Sequence, residues 1–226
     1  MSELPKLRAA GRIVDAVREC LREAIFSGQL VPGEQLSVPD LSRRLEVSRS
    51  PVREAVLQLV ADGLAIEQPR RGVVVTTVEI GDLLEIHEIR EFVEALSARA
   101  CAERIDAKGI EELRAILNEQ LTSVEHGDAA GYFATNARFH AAIGRHARNP
   151  RLRDILLSLE GQMRLGLRRV SSDPAQRTRG LAEHRSVLAA IEAGDPDLAE
   201  QRMRAHIANT RARLAATAGQ AAQKAV

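Results

Sequence analysis

Apolar residues recur along this chain with the period of an α-helix almost from end to end, and one stretch breaks the rule. Ile13, Ala16/Val17, Cys20/Leu21 and Ala24/Ile25 repeat at three- and four-residue intervals and stop at Gly28, which predicts an amphipathic helix over 12–27. After the turn signal Val31-Pro32-Gly33, Val38, Leu41 and Leu45 predict a short second helix with Arg43 and Arg44 facing outward. Val52, Ala55, Val56, Leu59 and Val60 predict a third, capped by Ser48 or Ser50, tolerant of Pro51 in its first turn and closed by Gly63. The period then changes. Residues 64–67 and 73–78 are β-prone runs around the turn Gln68-Pro69-Arg70-Arg71-Gly72. Helix, tight turn, helix and two-stranded ribbon over 37–78 make a winged helix-turn-helix.

Beyond Val78 the pattern is helical throughout. Breaks near residues 107–109, 127, 149–150, 171–174 and 194–196 divide it into about six helices, too rich in apolar residues to be a linker. The expectation is therefore a mainly α chain of two domains: a winged helix-turn-helix with a small β-hairpin wing over 1–77, and an antiparallel all-α bundle over 78–226.

Candidate chemistry falls in both parts. Ser48, Arg49, Ser50 and Arg53 lie off the apolar stripe at the start of the third helix, the end that a recognition helix presents to base edges and phosphates. Arg70 and Arg71 sit on the wing turn, where they either meet DNA or only keep the hairpin in water. In the bundle, polar residues interrupt three core stripes: Phe133, Asn136, His140, Ile143; then Leu181, His184, Leu188, Ile191; then Met203, His206, Thr210. Buried imidazoles need partners, so either each is separately hydrogen-bonded or they share a metal, for which neutral imidazole suits Zn, Ni or Fe. Asn136 and His140, four residues apart, share a helix face.

Composition narrows this picture without changing it. The 226 residues carry a formal charge of only +1, yet Arg43, Arg44, Arg49, Arg53, Arg70 and Arg71 are gathered in the first part of the chain, enough for local contact with DNA. With 2% aromatic and 45% hydrophobic residues, the core must be built from aliphatic side chains. Cys20 and Cys101 have no metal or disulfide spacing and are expected to be reduced and buried. No signal peptide and no run of ~18 apolar residues is present, so the expected location is the cytoplasm, without a membrane. No HExxH or Ser/His/Asp pattern suggests an enzyme, and no catalytic residue is assigned.

The residues also carry a resemblance. PGEQLSVPDLSRRLEVSRSPVREAVLQLVADGLA followed by PRRGVVV resembles the DNA-binding domain of GntR-type bacterial transcription regulators. It implies that Arg43 or Arg44, Arg49 and Arg53 contact DNA, with Arg49 reading bases and Gly72 letting the wing approach the minor groove. Pro39 stands where some members have an arginine. IREFVEALSARAC, NARFHAAIGRHARNPRL and EHRSVLAAIEAGDPDLAEQRMRAHI resemble the FCD effector-binding domain of the FadR-type branch, and six helices match its shorter, VanR-like subgroup. Metal-binding members use a carboxylate, a histidine four residues later and two further histidines, which implies Asn136, His140, His184 and His206 here, with a neutral Asn in place of Asp. Arg90 is then a candidate clamp for an effector carboxylate, its alternative being an ion pair with Glu94.

Together these features predict a ligand-responsive repressor of a catabolic operon that binds a palindromic operator as a homodimer and responds to a small carboxylic acid at a divalent metal. The effector would act by changing the spacing or angle of two recognition helices. Two other classes compete: an acyl-CoA-responsive regulator, and a metalloenzyme bundle fused to a DNA-binding module.

Overall fold

The structure, a computed structural model, describes residues 10–170 and 173–224. The chain divides into two compact units, one ending at Val78 and the other beginning at Glu79. The first contains α1 (Ala10–Ser27), α2 (Val38–Leu45), α3 (Arg49–Ala61), β1 (Ala65–Gln68) and β2 (Gly72–Val75). α1 turns Val14, Val17, Leu21 and Ile25 inward and packs on α3, whose Val52, Ala55, Val56 and Leu59 are buried. That stripe differs from the expected one at three places. Ile13, Ala16 and Cys20 are exposed, because the inward face runs through Val14, Val17, Leu21 and Ile25 and these three positions lie to its side. Arg18 clamps the two helices: its Nε donates to Asp62 Oδ2 at 2.9 Å and a terminal nitrogen donates to Oδ1 at 3.2 Å.

α3 ends where Gly63, at a φ of 69°, takes a left-handed conformation that side-chain-bearing residues adopt only at a cost. The Leu64 amide then donates to the Leu59 carbonyl, and the chain enters an antiparallel hairpin pairing Ala65 with Val75 and Gln68 with Gly72. In this register Val78 would lie opposite Asp62, the C-cap of α3, so β2 stops at Val75, short of the full β-prone run. On the other edge of β2, the Leu36 amide donates to Val73 O and the Val75 amide to Glu34 O, tying the wing to the turn before α2.

The second unit consists of α4 (Ile80–Arg104), α5 (Ala107–Glu125), α6 (Ala129–His146), α7 (Pro150–Val170), α8 (Pro174–Glu192) and α9 (Pro196–Lys224), the expected six-helix bundle. A short polar side chain starts each helix after α4. Asp106 accepts from Gly109 N, Asp128 from Gly131 N, Asn149 from Arg151 N, Asp173 from Ala175 N and Asp195 from Leu198 N, satisfying first-turn amides that have no partner within the helix. Residues 171–172, within the fourth expected break, lie outside the described residues. The core joins Cys101 and Ala98 of α4 to Leu113, Phe139, Ile143, Val187, Ile191, Met203 and Ile207. Among the described residues, no helix is long and apolar enough to cross a membrane.

Candidate nucleic-acid interface and metal centre

The expected DNA-contacting residues of the first unit divide into two groups according to their partners. Ser48 occupies the N-cap position of α3 but makes no side-chain cap bond, and Arg49, Ser50 and Arg53 are exposed on the first turns of that helix. Arg49 and Arg53 engage no partner among the described residues, so the helix presents two uncompensated cations beside unsatisfied amides. Arg43 and Arg44 instead share Asp40, at 2.7 and 3.7 Å. Their charge is partly spent within α2.

The wing arginines also differ from each other. The Arg71 guanidinium donates to Gly33 O at 3.0 Å and to Gln68 Oε1 at 3.2 Å, while Gln35 Nε2 donates to Arg71 O at 2.6 Å. Arg71 is thus a brace between the wing and the turn before α2. Arg70 has no such tie and occupies a left-handed position, φ 67°, after Pro69 in the turn closed by Arg71 N to Gln68 O. That position usually belongs to glycine or asparagine, and an arginine there costs about 1 kcal/mol of local strain. Gly72, at a φ of 71°, completes the turn.

In the second unit, His140 of α6, His184 of α8 and His206 of α9 come together in the core. Each has its own acceptor. His140 Nδ1 donates to Glu94 of α4, His184 Nδ1 to Gln120 Oε1 of α5 at 2.8 Å, and His206 Nδ1 to Glu183 Oε2 of α8 at 2.7 Å. The carboxylate oxygens of Glu94 and Glu183 and the amide oxygen of Gln120 only accept, so these bonds place a proton on each Nδ1 and, in the neutral ring, leave Nε2 bare. One nitrogen from each of the three rings lies within 4.8 Å of the others, and His184 Nε2 faces His206 Nε2 at 3.2 Å. Two bare lone pairs at that distance repel unless a cation or proton lies between them, so the donor set fits a divalent metal. The acceptors on the far side of each ring are the second layer that metal-binding imidazoles require.

Electrostatics keep His184 and His206 neutral and the carboxylates charged. Burial pushes His184 and His206 below the ordinary imidazole value, with neighbouring histidines adding to the effect. Although burial opposes ionisation of Glu94, Arg90 and His140 hold its carboxyl well below the usual range. Burial likewise opposes ionisation of Glu183, but hydrogen bonds from His206 and Arg213 bring it down to about 2.

Arg90 pairs with Glu94 and also lines a cavity of about 70 Å³ beside the histidines. Asn136 is on the same wall, half-buried and without a hydrogen bond to the cluster. On α6 the expected stripe holds at His140 and Ile143, which are buried with Tyr132, Thr135 and Phe139, while Phe133 and Asn136 fall on its flank. Glu94, Gln120 and Glu183, which fix the rings, were not singled out from sequence for that role. Their signal was available: Glu94 and Gln120 interrupt the apolar rows Leu83, Ala98, Cys101 and Leu113, Ile116, Leu117 just as the histidines interrupt theirs. His126 caps the end of α5, and His146 bonds to Glu112; neither joins the cluster.

A winged helix-turn-helix followed in the chain by a helical bundle with a buried histidine cavity is the build of a bacterial transcription regulator, and comparison with known proteins agrees. Residues 13–75 match the family of bacterial regulatory proteins, gntR family, and residues 85–209 match the FCD domain. A probable D-xylose utilization operon transcriptional repressor of Paenarthrobacter nicotinovorans is 31% identical over 87% of this chain and 86% of its own length. The transcriptional repressor RspR of Escherichia coli is 28% identical over 83% of this chain and 82% of its own. Among solved structures, E. coli McbR/YncC superposes with a TM-score of 0.72 at 25% identity, covering 89% of this chain and 96% of that one. A putative GntR regulator from a Rhodococcus species gives 0.74, also at 25% identity, over 90% and 97%. The chain belongs to the GntR family of transcription regulators, in the FadR-type branch that carries an FCD domain. It is a DNA-binding regulator and not an enzyme.

The buried neutral imidazoles set a pH dependence. His87, His184 and His206 all have folded values lowered below 6.5, so below that pH the unfolded chain binds more protons than the folded one. Metal-free protein should therefore lose bundle stability as pH falls from about 7 to about 5, by up to about 1.4 kcal/mol per pH unit for each such group. Glu94 and Glu183, held below 4.5, add a further loss in more acid solution. Urea unfolding followed by circular dichroism measures this, and a flat profile above about pH 5 contradicts the assignment of neutral buried rings.

Proposed function

We propose that this regulator is a cytoplasmic, homodimeric repressor of a catabolic operon that holds a palindromic operator and is released by a small carboxylic acid bound at a metal in its bundle. The convergence of three bare, individually oriented imidazole nitrogens beside a cavity carries the reading. His140, His184 and His206 would hold Zn, Ni or Fe, with Asn136 or water as a weak fourth donor. A bound metal supplies a Lewis-acidic position that a carboxylate can complete. Arg90, Arg177 and Arg213 line the same cavity, and although Arg90 pairs with Glu94 and Arg213 with Glu183, an entering anion can share these guanidinium groups. About 70 Å³ is room for a few water-sized groups, which favours a small acid over a long acyl chain. Two relatives named as repressors, one of them for a sugar-utilisation operon, support repression of a catabolic operon. The six-helix bundle accords with the VanR-like subgroup.

On the DNA side, Arg49 reads base edges while Arg53, Ser48 and Ser50 hold phosphates. Arg70 is the wing contact, whereas Arg43, Arg44 and Arg71 contribute less because each already has a partner. One helix-turn-helix reads few base pairs, so a two-fold dimer on a palindrome supplies the remaining affinity. Ile89, Phe92 and Leu96 form an exposed apolar row at i, i+3 and i+7 on α4, at 50, 55 and 47% exposure, which suits contact with a second copy.

Three measurements test this reading. In fluorescence anisotropy at fixed salt, Arg49→Ala should weaken operator binding by about tenfold or more and relax its sequence preference, while Arg43→Ala should weaken it less. Unchanged affinity and preference for Arg49→Ala would remove the base-reading role. His184→Ala should lose metal in elemental analysis and lose acid-dependent release from DNA while still binding the operator; wild-type protein that takes up no Zn, Ni or Fe removes the metal centre. Phe92→Glu should shift the protein toward monomer in sedimentation velocity, and a dimer of undiminished stability means that the row is not at the interface.

A further inference from the structure

His87 has no place in the metal cluster, yet it is the most unusual polar side chain in the bundle. It is 1% exposed and neither ring nitrogen has a hydrogen-bond partner, which among the described residues is true of no other buried side chain with two polar atoms. Nor does it stand apart from the site. It lines the same cavity as His140 and His206, on the face of α4 that three residues later presents Arg90 and seven residues later Glu94. The other histidines of the core all have an acceptor supplied by a neighbouring helix. An imidazole carries one N–H and one lone pair, and burying both without partners is unfavourable. Such a group is either a residual defect or is matched by something that enters the cavity.

We infer that His87 is the specificity-determining residue of the effector cavity, pairing with a neutral hydroxyl or keto oxygen that the acid carries beside its carboxylate. The inference rests on the proposed acid-binding cavity and goes one step further, from a small carboxylic acid to a hydroxy or oxo acid. Charge supports that choice over a second carboxylate at this position. Burial, with Arg90 adding to it, lowers the His87 ring to about 3, so it meets the ligand as a neutral donor and acceptor. The guanidinium groups of Arg90, Arg177 and Arg213 are the partners suited to negative charge. A neutral imidazole suits a hydroxyl, which can accept from its N–H or donate to its bare nitrogen. A site built to pair such a group rejects the analogue that lacks it, because the ring is then left unpartnered.

The test uses full-length protein loaded with Zn and three matched pairs of acids: acetate and glycolate, propionate and lactate, succinate and malate. Isothermal titration gives the affinity of each. Wild type should bind the hydroxy member of at least one pair about tenfold more tightly than its deoxy partner. His87→Leu should erase that preference while keeping the deoxy acid's affinity within about threefold, and His87→Gln, a neutral donor and acceptor, should restore part of it. Circular dichroism confirms that the variants are folded. If wild type binds both members of every pair equally, or if folded His87→Leu keeps the preference, the role of His87 is overturned while the acid-binding cavity stands. If no acid binds with or without metal, the cavity reading fails and this inference fails with it.

Discussion

Burying an imidazole inside a helical bundle is tolerable only if something accepts its proton, and that requirement organises the second unit. Glu94, Gln120 and Glu183 meet it for His140, His184 and His206, and each acceptor comes from a different helix from the ring it holds. The bonds therefore tie α4 to α6, α5 to α8 and α8 to α9. Two of the acceptors are carboxylates that would themselves be costly to bury, and arginines offset that cost: Arg90 pairs with Glu94, and Arg213 donates to both oxygens of Glu183 at 2.9 and 3.0 Å. The result is a polar seam through an aliphatic core, with Phe139 packed against His184 at 4.6 Å between ring centroids. Substituting one member leaves a neighbour unpaired, so the seam holds as a set.

Legibility in the sequence followed the strength of the period. The six helices of the bundle and the winged helix-turn-helix could be read because long apolar stripes end at Gly, Pro and Asp signals, and the three core histidines stood out as interruptions of those stripes. What period could not give was phase to within one residue. On α1 the true stripe runs through Val14 instead of Ile13, which leaves Cys20 outside. On α6 it runs through Tyr132 and Thr135, which moves Asn136 to the cavity wall. A shift of one position turns a helical side chain by about 100°, so residues at the edge of a stripe are decided by packing with other helices. The acceptors were harder still, since whether Glu94 meets Arg90 on its own helix or His140 on another cannot be read from spacing; it does both.

The arginines of the first unit show the same limit from the outside. Sequence gathers six of them, but only their partners separate them: Asp40 holds Arg43 and Arg44, the Gly33 carbonyl holds Arg71, and Arg49, Arg53 and Arg70 are left without one among the described residues. An unpaired exposed cation has the smaller desolvation cost to recover when a phosphate or base replaces water. Arg70 adds a second indication, because the wing accepts a left-handed arginine where glycine would be unstrained. Strain of this kind persists when the side chain is worth more than the conformation costs.

Accounting for partners thus separates structural from functional polar groups in both units, and it does so by opposite signs of burial. On the surface, a cation without a carboxylate is in water, so being unpaired is cheap, and its position on α3 or the wing is what gives it meaning. In the core, where water is absent, a ring without a partner is expensive, and the lack of one is itself informative. His87 is in the second situation, two turns from Glu94 on a helix whose other buried polar groups are matched within the bundle. The fold that satisfies His140, His184 and His206 supplies no such partner for His87 among the described residues, and the adjoining cavity is where one can enter.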